Sequence, residues 1–182
     1  MPNWCSNKMT IRHTDPAMIS RAVTAFQAGA LFNEFVPCPA DLNGTTAAWF
    51  SDPVSQEQID AKRQENVAKY GYPSWYEFNL ANWGTKWDVG GEEIPIESIE
   101  ENALTVCFDT AWAPPIQFYN ELVSQGFEVE AMYNEFGMGF CGEYFDGSDN
   151  YIEYGIDDLD GIPTEVDEAF AIRESLEMYA ED

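Results

Sequence analysis

Two groups of residues could do chemistry. The first is Asn82-Trp83-Gly84-Thr85-Lys86-Trp87-Asp88, which sets polar side chains between two indoles, with Trp4 and Trp112 elsewhere in the chain. Indole rings stack on bases and an ammonium meets a phosphate. Trp4, Asn82, Trp83, Lys86, Trp87 and Trp112 are therefore the candidate site for a nucleotide-like ligand. The same residues suit a packing corner, with Gly84 ending a helix and the rings wedged into a core. The second group is acidic. Glu143, Asp146, Asp149, Glu153, Asp157, Asp158 and Asp160 recur every one to four residues and lead towards a helix bearing Glu174, Glu177 and Glu181. Helical acids three or four residues apart sit roughly 5–6 Å from each other, commensurate with phosphates along a nucleic-acid strand. Such an array can occupy the Lys- and Arg-lined groove of a nucleic-acid-binding protein, and its field speeds the encounter.

The charge is lopsided. The 182 residues carry a formal net charge of −25. Residues 1–91 hold seven bases and nine acids, giving −2, whereas residues 92–182 hold one base, Arg173, and 24 acids, giving −23. A general adaptation for solubility would load both halves. The asymmetry predicts instead a local acidic surface, which disfavours direct nucleic-acid binding and favours a basic protein partner.

Other chemistry has little support. His13 is the lone histidine, and no Gly-x-Ser-x-Gly, Walker loop or Rossmann glycine pattern is present. Asp157-Asp-Leu-Asp-Gly161 lacks the alternating acids and closing carboxylate of a calcium loop. Cys5, Cys38, Cys107 and Cys141 form no Cys-x-x-Cys pair, so mostly buried, reduced thiols are expected. The expectation is a protein with no catalytic residues, metal or cofactor, although chemistry by carboxylates alone stays open. No apolar run approaches the ~20 residues of a membrane span, and Met1-Pro-Asn-Trp-Cys-Ser-Asn-Lys8 has no signal-peptide layout, so a cytoplasmic protein is expected.

The elements that must position these residues are legible in outline. Residues 9–14 alternate as a strand, and Asp15-Pro16 opens a helix whose apolar stripe is Ile19, Ala22, Val23 and Phe26. Capping boxes at Ser55/Gln58 and Ser74/Glu77 start two more helices. These helices mark residues 40–90 as a helical, aromatic insertion within one domain spanning 1–182. Strands are expected at 103–109, 127–133, 140–145 and 151–154, with a helix after Pro114-Pro115 and a hairpin turn at 136–139. A single last helix runs from Thr164 through Ile172 and Leu176, within an acidic C-terminal extension over 143–182. The order gives an α+β fold: a ferredoxin-like antiparallel sheet with helices on one face, the insertion, and a C-terminal acidic helix.

Five motifs occur in order: Pro2-Asn-Trp-Cys-Ser-Asn7, Leu31-Phe-Asn-Glu-Phe-Val-Pro-Cys-Pro39, Asn82-Trp-Gly-Thr-Lys-Trp-Asp88, Thr110-Ala-Trp-Ala-Pro-Pro115 and Tyr133-Asn-Glu-Phe-Gly-Met-Gly-Phe-Cys-Gly142. Together they resemble the YubB-like family of phage and conjugative-plasmid proteins, over about residues 2–145. The resemblance implies a ferredoxin-like domain, in the sense of fold and not of an iron–sulfur cluster, and a mobile-element setting. It implies no activity and no catalytic residues. Charge and resemblance together give the expectation of an accessory protein that inhibits a basic, nucleic-acid-binding host protein of defence or transcription. The Trp-lined ligand site, in a binding module or an enzyme, is the alternative.

Overall fold

Alternation along the first strand sets the architecture. In Trp4–Arg12 (β1), Cys5, Asn7, Met9 and Ile11 are buried and the residues between them are not. The computed structural model describes residues 3–43, 45, 56–155 and 158–180; Ser55, Asp157 and Glu181 lie outside them. Pro16–Gln27 (α1) follows, with the Asp15 carboxylate accepting the Ala17 N–H at 2.9 Å as its cap. A short helix, Leu31–Phe35 (α2), comes next. The insertion contributes a 3-10 turn at Ala40–Asn43, then Gln56–Tyr70 (α3) and Trp75–Asn82 (α4). Ser74 caps α4 as expected, its Oγ accepting the Tyr76 N–H, but Glu77 takes the Ser74 hydroxyl in a bond between side chains rather than the reciprocal backbone bond of a capping box. The remaining elements are Ile96–Ile99 (β2), Ala103–Ala111 (β3), Ile116–Ser124 (α5), Glu128–Glu135 (β4), Phe140–Phe145 (β5) and Ser148–Glu153 (β6). Thr164–Phe170 (α6) and Ile172–Ala180 (α7) end the chain's described part.

The six strands form one sheet in the order β2-β3-β1-β4-β5-β6, every neighbouring pair antiparallel. The first four follow the split βαβ plan of a ferredoxin-like domain, with β1 between β3 and β4. β5 and β6 extend the sheet as a meander. This is the expected α+β fold.

Register divides the side chains between two faces. Met9, Ile11, Leu104, Val106, Val129, Ala131 and Tyr144 share one face. They pack with Ile19, Ala22 and Phe26 of α1, Phe32 and Phe35 of α2, and Phe118, Tyr119 and Leu122 of α5. The two crossover helices thus lie on one face, as expected. The acidic C-terminal segment closes against the opposite face: Cys141, Met132 and Ile152 form a second cluster with Val166, Ile172 and Leu176.

Where a single last helix is expected, the chain forms two. Ala171 takes a left-handed conformation (φ 51°), its N–H bonding the Asp167 carbonyl, while the Asp167 carboxylate accepts the Arg173 N–H at the start of α7. One aspartate closes one helix and caps the next. The thiols also differ from expectation: Cys5 and Cys141 are buried, Cys38 is partly buried and Cys107 is exposed.

Candidate functional site

The Asn82–Asp88 motif divides into an inward set and an outward set. Trp83 is buried, and its indole N–H reaches the Val36 carbonyl at 2.9 Å. Thr85 is fully buried and donates to the Ala111 carbonyl at 3.2 Å. The Asn82 amide is spent on the Phe78 carbonyl at 2.8 Å. Asp88 is the fastening point. Oδ1 accepts the N–H of Phe32 at 2.7 Å and of Val89 at 2.8 Å, and Oδ2 accepts the N–H of Asn33 at 2.9 Å. Burial pushes the Asp88 carboxyl above its ordinary range despite these three donors. Trp83, Thr85 and Asp88 therefore clasp the end of the insertion to β3, α2 and the chain beyond α2.

The outward set is different. Trp4, Trp87 and Trp112 are 48%, 43% and 44% exposed, large fractions for indoles. The Lys86 ammonium lies 3.9 Å from the Trp87 ring centre and 4.0 Å from that of Trp112, a double cation–π contact. Trp4 stands 5.9 Å from Trp87. Trp112 has φ 71°, uncommon for so bulky a residue. The bonds from Trp112 N–H to Asn3 and from Thr110 Oγ1 to the Ala113 carbonyl hold this turn. Of the six residues proposed for a ligand, Trp4, Lys86, Trp87 and Trp112 come together at the surface. Asn82 and Trp83 are engaged behind them.

All eight lysines and arginines are accounted for. Seven form ion pairs: Lys8–Glu97, Arg12–Glu128 and Glu130, Arg21–Glu34, Lys62–Glu65, Arg63–Glu77, Lys69–Asp41 and Arg173–Asp167. The eighth, Lys86, is held by its indoles. Apart from Asp167, most acids of the last two strands and the last two helices have no such partner. Glu143, Glu153, Asp158, Asp160, Glu165, Glu168, Glu174 and Glu177 form no ion pair among the described residues, and all but Glu143 are exposed.

The acidic set is distributed around an edge rather than over one face. Register puts Glu143 opposite Met132 on the side covered by α6 and α7, whereas Asp149 pairs with Tyr144 on the side of α1 and α5. Glu153, four residues on from Asp149, shares that side. Two members are structural. Asp146 (φ 41°) and Gly147 (φ 95°) make the two-residue hairpin between β5 and β6, and Asp146 Oδ1 accepts the Val129 N–H at 2.8 Å. Asp149 Oδ1 accepts the Tyr133 hydroxyl at 2.8 Å. Glu135, which the sequence reading passed over, is buried and accepts the N–H groups of Gly137 and Met138 at 2.9 and 2.7 Å. Among the described residues, no three His, Cys, Asp or Glu side chains converge as metal ligands would. No helix there is long and apolar enough to cross a membrane.

Arg173, the one base of the acidic half, is turned inward. Its guanidinium bonds the Asp167 carboxylate at 2.8 Å and the carbonyls of Leu159 and Ile162 at 2.8 and 3.4 Å. Burial raises the Asp167 carboxyl, but the Arg173 bonds outweigh it and hold the group below its ordinary range. Arg173→Met is expected to cost about 1–2 kcal/mol in urea unfolding, since the charge-assisted bonds are partly exposed. A depressed carboxyl stabilises above its unfolded value of about 3.9 and ceases to do so as pH falls through the lower folded value. The gap between wild type and variant should therefore be full at neutral pH and shrink below about pH 4.

Comparison with known proteins adds a kinship. A family model described as the ferredoxin-like domain in Api92-like protein matches residues 83–174, about half of the chain. Among solved structures, a protein api92 from Yersinia pseudotuberculosis aligns at a TM-score of 0.41 with 14% identity, over 85% of this chain and 99% of that one. No curated protein matches the chain.

Proposed function

The chain belongs to the family that carries the ferredoxin-like domain in Api92-like protein, and on that footing we propose that it is a protein-binding accessory factor whose acidic edge engages a basic, nucleic-acid-binding partner and blocks it. The observation that carries the reading is the distribution of unpaired charge. Every base is already engaged, and eight unpaired carboxylates from Glu143 to Glu177 lie on or between β5, β6, α6 and α7, elements joined by one apolar cluster, while Glu92, Glu93, Glu100 and Glu101 are exposed and, among the described residues, unpaired beside β2 at the other edge of the sheet. The negative field of the acidic end reaches about one Debye length, which is longer at low salt, so it speeds encounter with a basic surface and does so less as salt rises. The resemblance of the five motifs to the YubB-like family, which implies a phage or plasmid setting, makes a host defence or transcription complex the natural target.

The test is displacement of DNA from a panel of host DNA-binding proteins. The informative variant reverses charge at Asp158, Asp160, Glu174 and Glu177, which are exposed and unpaired. Asp146 and Asp149 are left alone because they hold the hairpin and Tyr133. The wild type is expected to displace DNA at low salt, and the reversed variant to lose at least tenfold in potency, about 1.4 kcal/mol. Equal potency would remove the acidic edge from the mechanism.

A second reading is favoured by the half-exposed indoles: a nucleotide-like ligand stacking at Trp4, Trp87 and Trp112. A nucleotide-induced rise in Tm that disappears in Lys86→Met would support it over the first.

A further inference from the structure

On the face that carries α1 and α5, between the end of the insertion and the last two strands, lies a groove of about 510 Å³. Its lining includes Trp112, Phe140, Tyr151, Asp149 and Gln117. We propose that this groove is the anchor point of the acidic edge: it receives an arginine side chain of the partner, the guanidinium lying against the Trp112 and Tyr151 rings and hydrogen-bonding the Asp149 carboxylate. This rests on the partner reading above and names the side chain by which that partner is held.

Three observations select a planar cation. The aromatic surfaces are open: Trp112 is 44% and Tyr151 49% exposed, the latter leaning on Phe140 with ring centres 5.2 Å apart. Asp149 is exposed and uses only Oδ1, towards Tyr133; Oδ2 accepts no hydrogen bond among the described residues. Finally, the Trp112 indole already attracts an ammonium, that of Lys86 at 4.0 Å. A ring that holds one cation within its own fold is a ring whose face favours cations. Open aromatic faces beside a half-used carboxylate complement a delocalised charge with several coplanar donors, which is a guanidinium rather than the compact, strongly hydrated lysine ammonium.

A phosphate suits the groove poorly. The charged group at its rim is an acid, and Lys86 is committed to its indoles. The groove also adjoins β6, so a side chain seated there would bring its own basic surface over Glu153 and the carboxylates beyond. Aromatic anchors ringed by complementary charge are the usual distribution of binding energy at a protein interface.

The experiment titrates the full chain with a nine-residue oligoarginine and a nine-residue oligolysine at low salt by calorimetry, and follows the Trp112 indole N–H by NMR. Oligoarginine is expected to bind more tightly than oligolysine and to shift the Trp112 resonance saturably. Trp112→Gly, which suits the left-handed backbone, Tyr151→Ala and Asp149→Asn should each weaken oligoarginine about tenfold and reduce the preference for it. Charge reversal at Asp158 and Glu174 should instead weaken both peptides alike. An arginine preference that survives in all three groove variants, or saturable binding that leaves the Trp112 resonance unmoved in the wild type, overturns the groove. Salt-dependent binding of both peptides would in that case still uphold the acidic edge. If neither peptide binds, both readings fall.

Discussion

A chain shortened to begin at Asp15 is expected to show no cooperative unfolding transition. β1 is the central strand of the plan, pairing from Trp4 to Arg12 with β3 and from Cys5 to Arg12 with β4. It brings Met9 and Ile11 to the main core, and burying each contributes roughly 1.5–3 kcal/mol. Asn7 is more demanding still. Its buried amide donates to the Cys5 carbonyl at 2.8 Å and to Thr110 Oγ1 at 2.9 Å, and its oxygen accepts the fully buried Tyr119 hydroxyl at 3.3 Å. Without β1, Tyr119 keeps a buried hydroxyl with no partner, and β3 and β4 each lose a full ladder of backbone bonds. The combined loss exceeds the roughly 5–15 kcal/mol that holds a typical domain together. Far-UV circular dichroism with urea titration is the check. A sigmoidal transition near that of the intact chain would show that β1 is dispensable.

Asp88→Ala is expected to destabilise by about 3 kcal/mol, near the upper end for one substitution. The carboxylate is the acceptor for three backbone N–H groups, two of them at the open start of α2, where no side chain from α2's own flank provides a cap. Alanine strands all three donors in a partly dry setting, whereas asparagine keeps one oxygen. Asp88→Asn should therefore cost about half as much. Urea unfolding of the two variants measures both values. A cost for alanine within ~0.5 kcal/mol, the range of neutral surface changes, would mean that the insertion is not fastened at this point.

Much of the fold was legible because local signals agreed with it. The Asp15-Pro16 start, the Ser74 cap and the strand at Phe140–Phe145 all stand where the sequence puts them. The misses have separate physical causes. β1 was expected from Met9, but it begins at Trp4, because Ser6 and Asn7 look like loop residues, and the bonds that satisfy a buried asparagine there include the Thr110 and Tyr119 hydroxyls, which sequence spacing does not reveal. β2 is short, acidic and almost wholly exposed, so it has no apolar alternation to detect. The break at Ala171 hides because Ala169, Ile172, Leu176 and Tyr179 fall on one helical stripe in the sequence.

The candidate site was legible as composition and not as geometry. Clustering of Trp, Lys and Asp in residues 82–88 was visible. That Asp88 serves a helix starting more than fifty residues earlier was not, since no spacing rule connects them. Among the acids, one usable signal went unread. Asp146-Gly147 is the residue pair that a two-residue hairpin turn prefers, and reading it as a turn would have separated a structural aspartate from the free ones. Register then decides the rest: Glu143 and Asp149 lie six residues apart, yet on opposite sides of the sheet.

The position of β6 has a consequence for the protein in company with itself. As the last strand it offers a row of unsatisfied backbone donors and acceptors to any second molecule. Asp149, Glu153 and Asp158 flank that row, so two copies approaching edge to edge meet mutual repulsion before a ladder can form. The guard is electrostatic. Near the isoelectric point of about 4.1, where the net charge of the chain vanishes, the repulsion is lost and the same edge becomes a template for intermolecular strand pairing.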